Sequence, residues 1–237
     1  QGEEVTQSAA SDVLSADSQS STLNSQPAND CCATDEGCPT EAPSKEVDTS
    51  GLIPVAKKNL CRLRVAKITQ ETPDVKTIRL VSCHGGRIPF NYVPGQFLTF
   101  SLPVGEKPIR RSYTISSAPT QAYYCEVTVK REDKGAGSRY ICDELKVGDT
   151  LEVKAPSGRF TFAGEESDSV VLIAGGVGIT PMMSVTRALT DMCWAGDIYF
   201  IMACRDPEHF IFESEIKRLE ERYDNLHVHF AMSRIEQ

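Results

Sequence analysis

The octapeptide Ala174-Gly175-Gly176-Val177-Gly178-Ile179-Thr180-Pro181 joins two different periodicities. Before it, Val170-Val171-Leu172-Ile173-Ala174 is an unbroken apolar run of strand length; after it, Pro181 to Met192 has helical spacing. A buried strand that runs through glycines into a helix is the first half of a βαβ unit. The glycines let the main chain approach a ligand closely, and the unpaired N–H groups and positive dipole end of the helix suit a pyrophosphate. Pro181 fits the first helical position, where its missing N–H has no intrahelical partner to serve. Alone, Gly176-x-Gly178 leaves two readings open, a nucleotide site and a tight turn without a ligand, because no acidic ribose partner is evident.

Working outward, Ile198-Tyr199-Phe200-Ile201-Met202 is a second apolar run, Pro207 to Arg222 reads as a helix, and Leu226 to Met232 returns to strand. Strands alternating with helices of about 10–15 residues indicate a parallel sheet. Only three strands fit before Gln237, so residues 165–237 are expected to form a partial Rossmann-like parallel βαβ nucleotide-binding domain.

On the other side of the polar stretch Gly164 to Asp168 the period changes to two. Alternating segments run from Leu60 to Val65, Val75 to Leu80, Gln96 to Phe100, Arg111 to Ser116, Tyr123 to Lys130 and Thr150 to Lys154. Gly85-Gly86, Pro94-Gly95, Ala118-Pro119, Gly148-Asp149 and Pro156-Ser157-Gly158 punctuate them, and only Ala136 to Leu145 looks helical. Six half-buried strands with one helix predict a closed, six-stranded antiparallel β-barrel over residues 55–164. The fold class is therefore β plus α/β.

Residues 1–54 are expected to be a disordered acidic linker. The first 50 lack Phe, Trp and Tyr and hold ten acidic residues against Lys45 alone, a net −9. That leaves 24 basic and 23 acidic residues in the other 187, so the overall charge of −8 belongs to the tail and the body stands at +1. A near-neutral body without a basic stripe excludes a nucleic-acid partner. No window reaches the roughly 18 consecutive apolar residues of a membrane helix. Nine scattered cysteines read as reduced thiols and a cytoplasmic location. Cys31, Cys32 and Cys38 lack the paired spacing of zinc or iron–sulfur ligands and read as linker thiols; no metal site is expected. Gln1 follows neither a methionine nor a signal pattern, which suggests a missing or processed start.

The barrel supplies an independent companion to the glycine loop: Arg111-Ser112-Tyr113-Thr114-Ile115-Ser116-Ser117. Alternation puts Arg111, Tyr113 and Ile115 on one face and Ser112, Thr114 and Ser116 on the other. A guanidinium that neutralises phosphate thus stands beside a phenol that lies against a flat ring. An ordinary strand with an exposed Arg and a packed Tyr is the other reading. His227-x-His229 shares a strand face, but two ligands are too few for a metal site.

Together these residues resemble the ferredoxin–NAD(P)H reductase superfamily, whose FAD-binding FR-type domain carries Arg-x-Tyr-Ser/Thr, then a Gly-x-x-Ser helix start, then Gly-Gly-x-Gly-x-Thr-Pro. All three occur in order, with Pro94-Gly95-Gln96-Phe97 ahead of them, over about Asn59 to Arg234. The resemblance implies that Arg111 binds the flavin pyrophosphate, Tyr113 packs on the isoalloxazine or ribityl region, and Thr114 hydrogen-bonds near flavin N5. It places Ser112, Val127, Val129 and Lys130 in the flavin site, unless Lys130 is a solvated strand end, and gives Gly137 and Ser138, in Gly135-Ala136-Gly137-Ser138, the phosphate oxygens, unless that start is a plain helix cap. Gly175, Gly176, Gly178 and Thr180 face the pyridine nucleotide. Tyr113, Thr114 and Thr180 are the implied catalytic set, beside the reacting rings.

The implied activity is that of an NAD(P)H-dependent flavoprotein oxidoreductase. Hydride passes from nicotinamide to flavin, and electrons then leave singly for a ferredoxin-type [2Fe-2S] domain, haem or oxygenase, in the same polypeptide or another. The alternative is a non-catalytic flavin- and nucleotide-binding module of a larger electron-transfer complex. FAD is favoured over FMN by the Gly-x-Gly-Ser helix start. NADH and NADPH both remain open: Arg205 and Ser233-Arg234 fall where relatives hold a 2′-phosphate, while Asp206 and Glu236 repel one. Relatives also carry a further strand with Cys-Gly-Pro; it does not lie before Gln237, and Cys204 is no substitute, because it ends the second strand and packs.

Overall fold

A computed structural model describes residues 60–233. The acidic tail, Cys31, Cys32, Cys38, Arg234 and Glu236 lie outside the described residues. Strands β1 (Leu60–Thr72), β2 (Val75–Ser82), β3 (Phe97–Leu102), β4 (Ile109–Thr114), β5 (Tyr124–Lys130) and β6 (Thr150–Ser157) form one antiparallel sheet in the order β4-β3-β6-β1-β2-β5. The two ends meet just past β4, where Ile115 bridges Val127 and the Ser116 N–H donates to the Glu126 carbonyl at 2.8 Å. That closes the expected barrel. Period two puts Leu63, Val65, Leu80, Leu98, Phe100, Ile115, Val127, Val129 and Val153 inside, each at most 1% exposed.

The helix expected over Ala136 to Leu145 is instead a short α-helix, α1 (Ala136–Arg139), followed by a π-helical turn over Tyr140–Glu144. The wider turn lets Ile141, Cys142 and Leu145 all join the barrel core.

Strands β7 (Ser169–Gly175), β8 (Asp197–Cys204) and β9 (Leu226–Met232) form a parallel sheet in that order, with α2 (Ile179–Asp191) and α3 (Glu213–Arg222) between them. Leu172, Ala174, Ile198, Phe200, Met202 and Cys204 pack with Ile179, Met183, Leu189 and Ile216 of the helices. The alternate residues Val171 and Ile173 are 59% and 65% exposed on the other face. No helix among the described residues is long and apolar enough to cross a membrane.

Two boundaries differ from the sequence expectation. Helix α2 begins at Ile179, so Pro181 is its third residue, still within the first turn where N–H groups lack intrahelical partners. The helix expected from Pro207 to Arg222 is broken into a 3₁₀ turn at Pro207–His209 and α3. Phe210, Ile211 and Phe212 between them are all 6% exposed or less, and three consecutive side chains cannot share one face of a helix. Phe212 takes a left-handed conformation, φ +62°, to redirect the chain into α3.

Barrel and sheet are joined along one stripe of α2. Ser184 Oγ donates to the Ser117 carbonyl at 2.7 Å, Arg187 Nη1 to the Ser116 carbonyl at 2.7 Å, and Asp191 accepts from Thr120 Oγ1 and Gln121 Nε2. Spacing of three and four residues places the three on one helix face.

Where the barrel closes, a buried chain of hydroxyls replaces apolar packing: Thr128 Oγ1 lies 2.8 Å from Thr77 Oγ1 and 3.0 Å from Ser116 Oγ. All three residues are at most 4% exposed. Thr128→Val keeps the shape but takes a partner from both neighbours, and is expected to lower stability by about 1–2 kcal/mol. A urea midpoint that falls at unchanged slope checks this.

Candidate functional site

The barrel half of the site is built where β4 passes under α1. Arg111 pairs with Phe100 and Tyr113 with Leu98 across the β3–β4 ladder, so both side chains rise from the same face. Gly137 sits on them: a Cβ there would stand 2.8 Å from Arg111 Cγ and 3.4 Å from Tyr113 Oη. Only glycine permits that approach. Arg111 is exposed, and its side-chain hydrogen bond among the described residues goes to the Arg110 carbonyl at 2.7 Å. Tyr113 is half-buried, edge-on to Phe100 with ring centroids 5.7 Å apart. Burial pushes its phenol up to about 12, outweighing the opposing pull of Arg111, so the hydroxyl stays a hydrogen-bond donor near neutrality.

The helix start adds main-chain donors. The Arg139 N–H is the first to find a partner in the preceding turn, the Gly135 carbonyl, and the N–H groups before it point out of the helix end. The Ser138 hydroxyl is committed elsewhere. It donates to the Gly135 carbonyl at 3.0 Å and accepts from the Glu132 N–H at 3.1 Å, bracing the turn.

Other barrel candidates divide by strand face. Ser112 lies opposite Tyr113 and shares a 2.9 Å hydrogen bond with Thr99; Thr114 is half-buried across from Phe97. Val127 and Val129 belong to the barrel core at 1% exposure. The structure turns both side chains away from any surface, leaving only their main chain to meet a ligand, because period two alternates them with the outward Glu126 and Lys130.

The nucleotide half is the turn after β7. Gly176 takes φ +51°, which an L side chain rarely adopts. Nothing lies within 4 Å of a Cβ built at Gly175, Gly176 or Gly178, so the loop's upper side is open. Thr180 is 5% exposed and donates to the Val177 carbonyl at 3.1 Å, which fixes the turn from within. Strand β5 of the barrel packs against this turn.

A groove of about 430 Å³ lies outside the carboxyl ends of β7, β8 and β9, where open parallel sheets bind ligands. Gly176, Val177, Cys204, Arg205 and Ser233 line one wall; Asp74, Val75 and Lys130 of the barrel line the other. Asp74 Oδ2 stands 3.7 Å from Arg205 Nη2 and 3.8 Å from Lys130 Nζ, so one carboxylate faces cations from both halves. Next to Arg205, Asp206 accepts from the His209 N–H and pairs with His209 Nδ1 at 2.6 Å. Those contacts hold its carboxyl below the ordinary range. Cys204 ends β8 and packs with the sheet core. His227 stacks on Tyr199 with centroids 4.9 Å apart.

Asp74, Val75 and His209 are among the groove residues that sequence reading missed. Thr72-Pro73-Asp74 signals a turn, but nothing local tells that the β1–β2 turn reaches the other half. The burial of Val75 in the sheet's core, rather than the barrel's, and the Asp74–Arg205 contact mark it.

Residues 62–162 match the oxidoreductase FAD-binding domain, and residues 172–237 match the oxidoreductase NAD-binding domain. The chain is 37% identical over 172 residues to the glycine betaine monooxygenase reductase subunit of Pseudomonas aeruginosa, covering 73% of this chain and 46% of that one. It is 38% identical over 154 residues to the NADH oxidoreductase HCR of Escherichia coli, covering 65% and 46%. The chain thus spans about half the length of these relatives. Among solved structures, the FAD/NAD binding domain of nitric oxide dioxygenase from Vibrio cholerae superposes with a TM-score of 0.69 at 26% identity, covering 75% of this chain and 76% of that one. Phthalate dioxygenase reductase does so with a TM-score of 0.65 at 28% identity, covering 74% and 53%. The Arg111–Tyr113–Gly137 face and the open Gly176 loop therefore stand on a matching pair of domains, and the chain belongs to the ferredoxin reductase-like family of flavoprotein oxidoreductases.

Proposed function

We propose that the chain passes electrons from NADH through FAD to a one-electron acceptor, an iron–sulfur centre, haem or oxygenase, in the cytoplasm. The observation that carries this reading is the pairing of two complementary sites on adjacent elements. An exposed guanidinium, a protonated phenol and a helix start converge at Gly137, and the Gly176 loop opens beside β5. Relatives named as reductase subunits of a monooxygenase support the acceptor class. The six free cysteines among the described residues support a reducing compartment.

Flavin, when bound, accepts a hydride from nicotinamide and releases electrons singly. The chain's own work is binding and alignment. Arg111 and the α1 N–H groups neutralise a pyrophosphate, Tyr113 donates a hydrogen bond while its ring borders the cofactor, and Thr114 holds the polar edge. Gly175, Gly176 and Gly178 admit the dinucleotide to the loop, and the buried Thr180 keeps that loop in shape. Arg205 and Ser233 line the groove on the nucleotide side, and Lys130 with Asp74 forms the barrel wall. No acid–base pair is required.

NADH is favoured over NADPH because the groove's cations are already faced by a carboxylate. Asp74 sits within 4 Å of both Lys130 and Arg205, and Asp206 keeps its negative charge beside Arg205.

Anaerobic addition of NADH to the FAD-loaded full-length protein is expected to bleach the flavin absorbance stoichiometrically; absorbance that persists refutes the reductase reading. Arg111→Ala removes a charge-assisted contact worth about 1.5–3 kcal/mol and should weaken flavin binding by about one to two powers of ten, measured by fluorescence titration. Asp206→Asn removes one repulsive charge. The ratio of kcat/KM for NADPH to that for NADH should rise by about fivefold to tenfold, equivalent to about 1 kcal/mol.

A further inference from the structure

Among the described residues, Arg187 is a largely buried guanidinium whose partners come from both halves of the molecule. Its side chain is 14% exposed. Nε and Nη2 make a bidentate pair with Glu215 of α3, at 2.7 and 2.6 Å, and Nη1 donates to the Ser116 carbonyl at 2.7 Å with Glu126 of β5 at 3.7 Å. The guanidinium also lies 4.8 Å from the Phe212 ring, the residue whose left-handed backbone starts α3. A polar cleft of about 490 Å³ surrounds it, lined by Glu71, Arg79, Glu126 and Glu215 among others.

The three bonds have one geometric effect. Ser116 lies two residues beyond Thr114, which ends the strand proposed to hold flavin, and Arg187 lies seven beyond Thr180 on the helix that begins at the nucleotide loop. Seven helical residues span about 10 Å. Strand and helix are thus referenced to a single planar group, with Ser184 fixing the same helix to Ser117 one turn nearer the loop. A simple anchor of stability is a poor account of such a residue, since a buried ion pair is often no more stabilising than apolar side chains of like volume. What the planar fork adds over an ammonium or an apolar contact is direction.

We propose that Arg187 is a positioning residue for hydride transfer, holding α2 and the β4–β5 corner in the relative placement at which nicotinamide meets flavin. This rests on the reductase reading above. Reaction requires the two rings at about 3–3.5 Å, and an error of about 1 Å costs on the order of a hundredfold in rate.

The test uses Arg187→Lys and Ser184→Ala in the FAD-loaded full chain, compared with the unaltered protein. Stopped-flow reduction by NADH gives the limiting rate and the nucleotide dissociation constant. Trp194, the sole tryptophan, is held by the Gly164 carbonyl at 2.9 Å and by Phe162, so its fluorescence decay reports its separation from the flavin without turnover. For Arg187→Lys, flavin content and nucleotide affinity should stay within about threefold while the limiting rate falls by about a hundredfold and the Trp194 decay broadens. Ser184→Ala, which loses a single hydrogen bond, should lower the rate by about threefold to tenfold and supplies the same readouts if Arg187→Lys does not fold. A rate within about threefold of the unaltered protein, with only a lower melting temperature, overturns the proposal in favour of a purely structural role. If NADH fails to reduce the unaltered protein, the reductase reading falls and the proposal falls with it; if the unaltered protein is reduced while both variants keep its rate and its Trp194 decay, the proposal alone falls.

Discussion

A guanidinium taken out of water costs several kcal/mol unless its hydrogen bonds and its charge are met, and the junction of barrel and sheet is organised around meeting those of Arg187. Two carboxylates and a carbonyl, drawn from α3, β5 and the segment after β4, converge on it. Each is placed by its own element. Because they must all be present for the burial to be tolerable, the helix that starts at the glycine loop, the strand of Arg111 and Tyr113 and the first turn of α3 share one reference point. The Arg111–Tyr113 face and the Gly176 loop are tied to one another through that junction.

The same logic explains the buried hydroxyls beside it. Ser116 ends the closing strand, and its hydroxyl continues through Thr128 to Thr77 across the barrel wall. The same segment is held by the Ser116 N–H to the Glu126 carbonyl and by Tyr92 Oη to the Ser117 carbonyl, and it offers its Ser116 and Ser117 carbonyls to Arg187 and Ser184. The barrel therefore becomes polar on its sheet-facing side while its core cluster stays apolar, and Arg111, on the same β4 face as Tyr113 and Ile115, reaches solvent where a ligand can meet it.

Much of this was legible in the sequence, because periodicity reports how many faces of an element are covered. The alternation at Arg111 to Ser116 and at Tyr123 to Lys130 marked a barrel wall, and the unbroken run at Val170 to Ala174 marked a parallel strand, although the structure leaves Val171 and Ile173 largely exposed. Where three apolar residues in a row sat inside a helical pattern, at Phe210 to Phe212, period alone could not separate a helix from a buried loop, and the loop won because all three are buried. The candidate site was readable in its glycines and in Arg111 and Tyr113, whose chemistry is local. Asp74, Arg187 and the inward turn of Val127 and Val129 were not, since each depends on contacts between segments far apart in the chain.

Helix α2 has almost no solvent face: nine of its thirteen residues are buried, Thr186, Ser184 and Thr190 among them. One side rests on the sheet core and another is hydrogen-bonded to the barrel. A helix covered in this way owes its stability to tertiary packing from both lobes, not to its own propensity. The barrel and the sheet, though they carry separate cores, are therefore expected to melt as one cooperative unit, since neither can unfold without stripping α2 of its partners on one side.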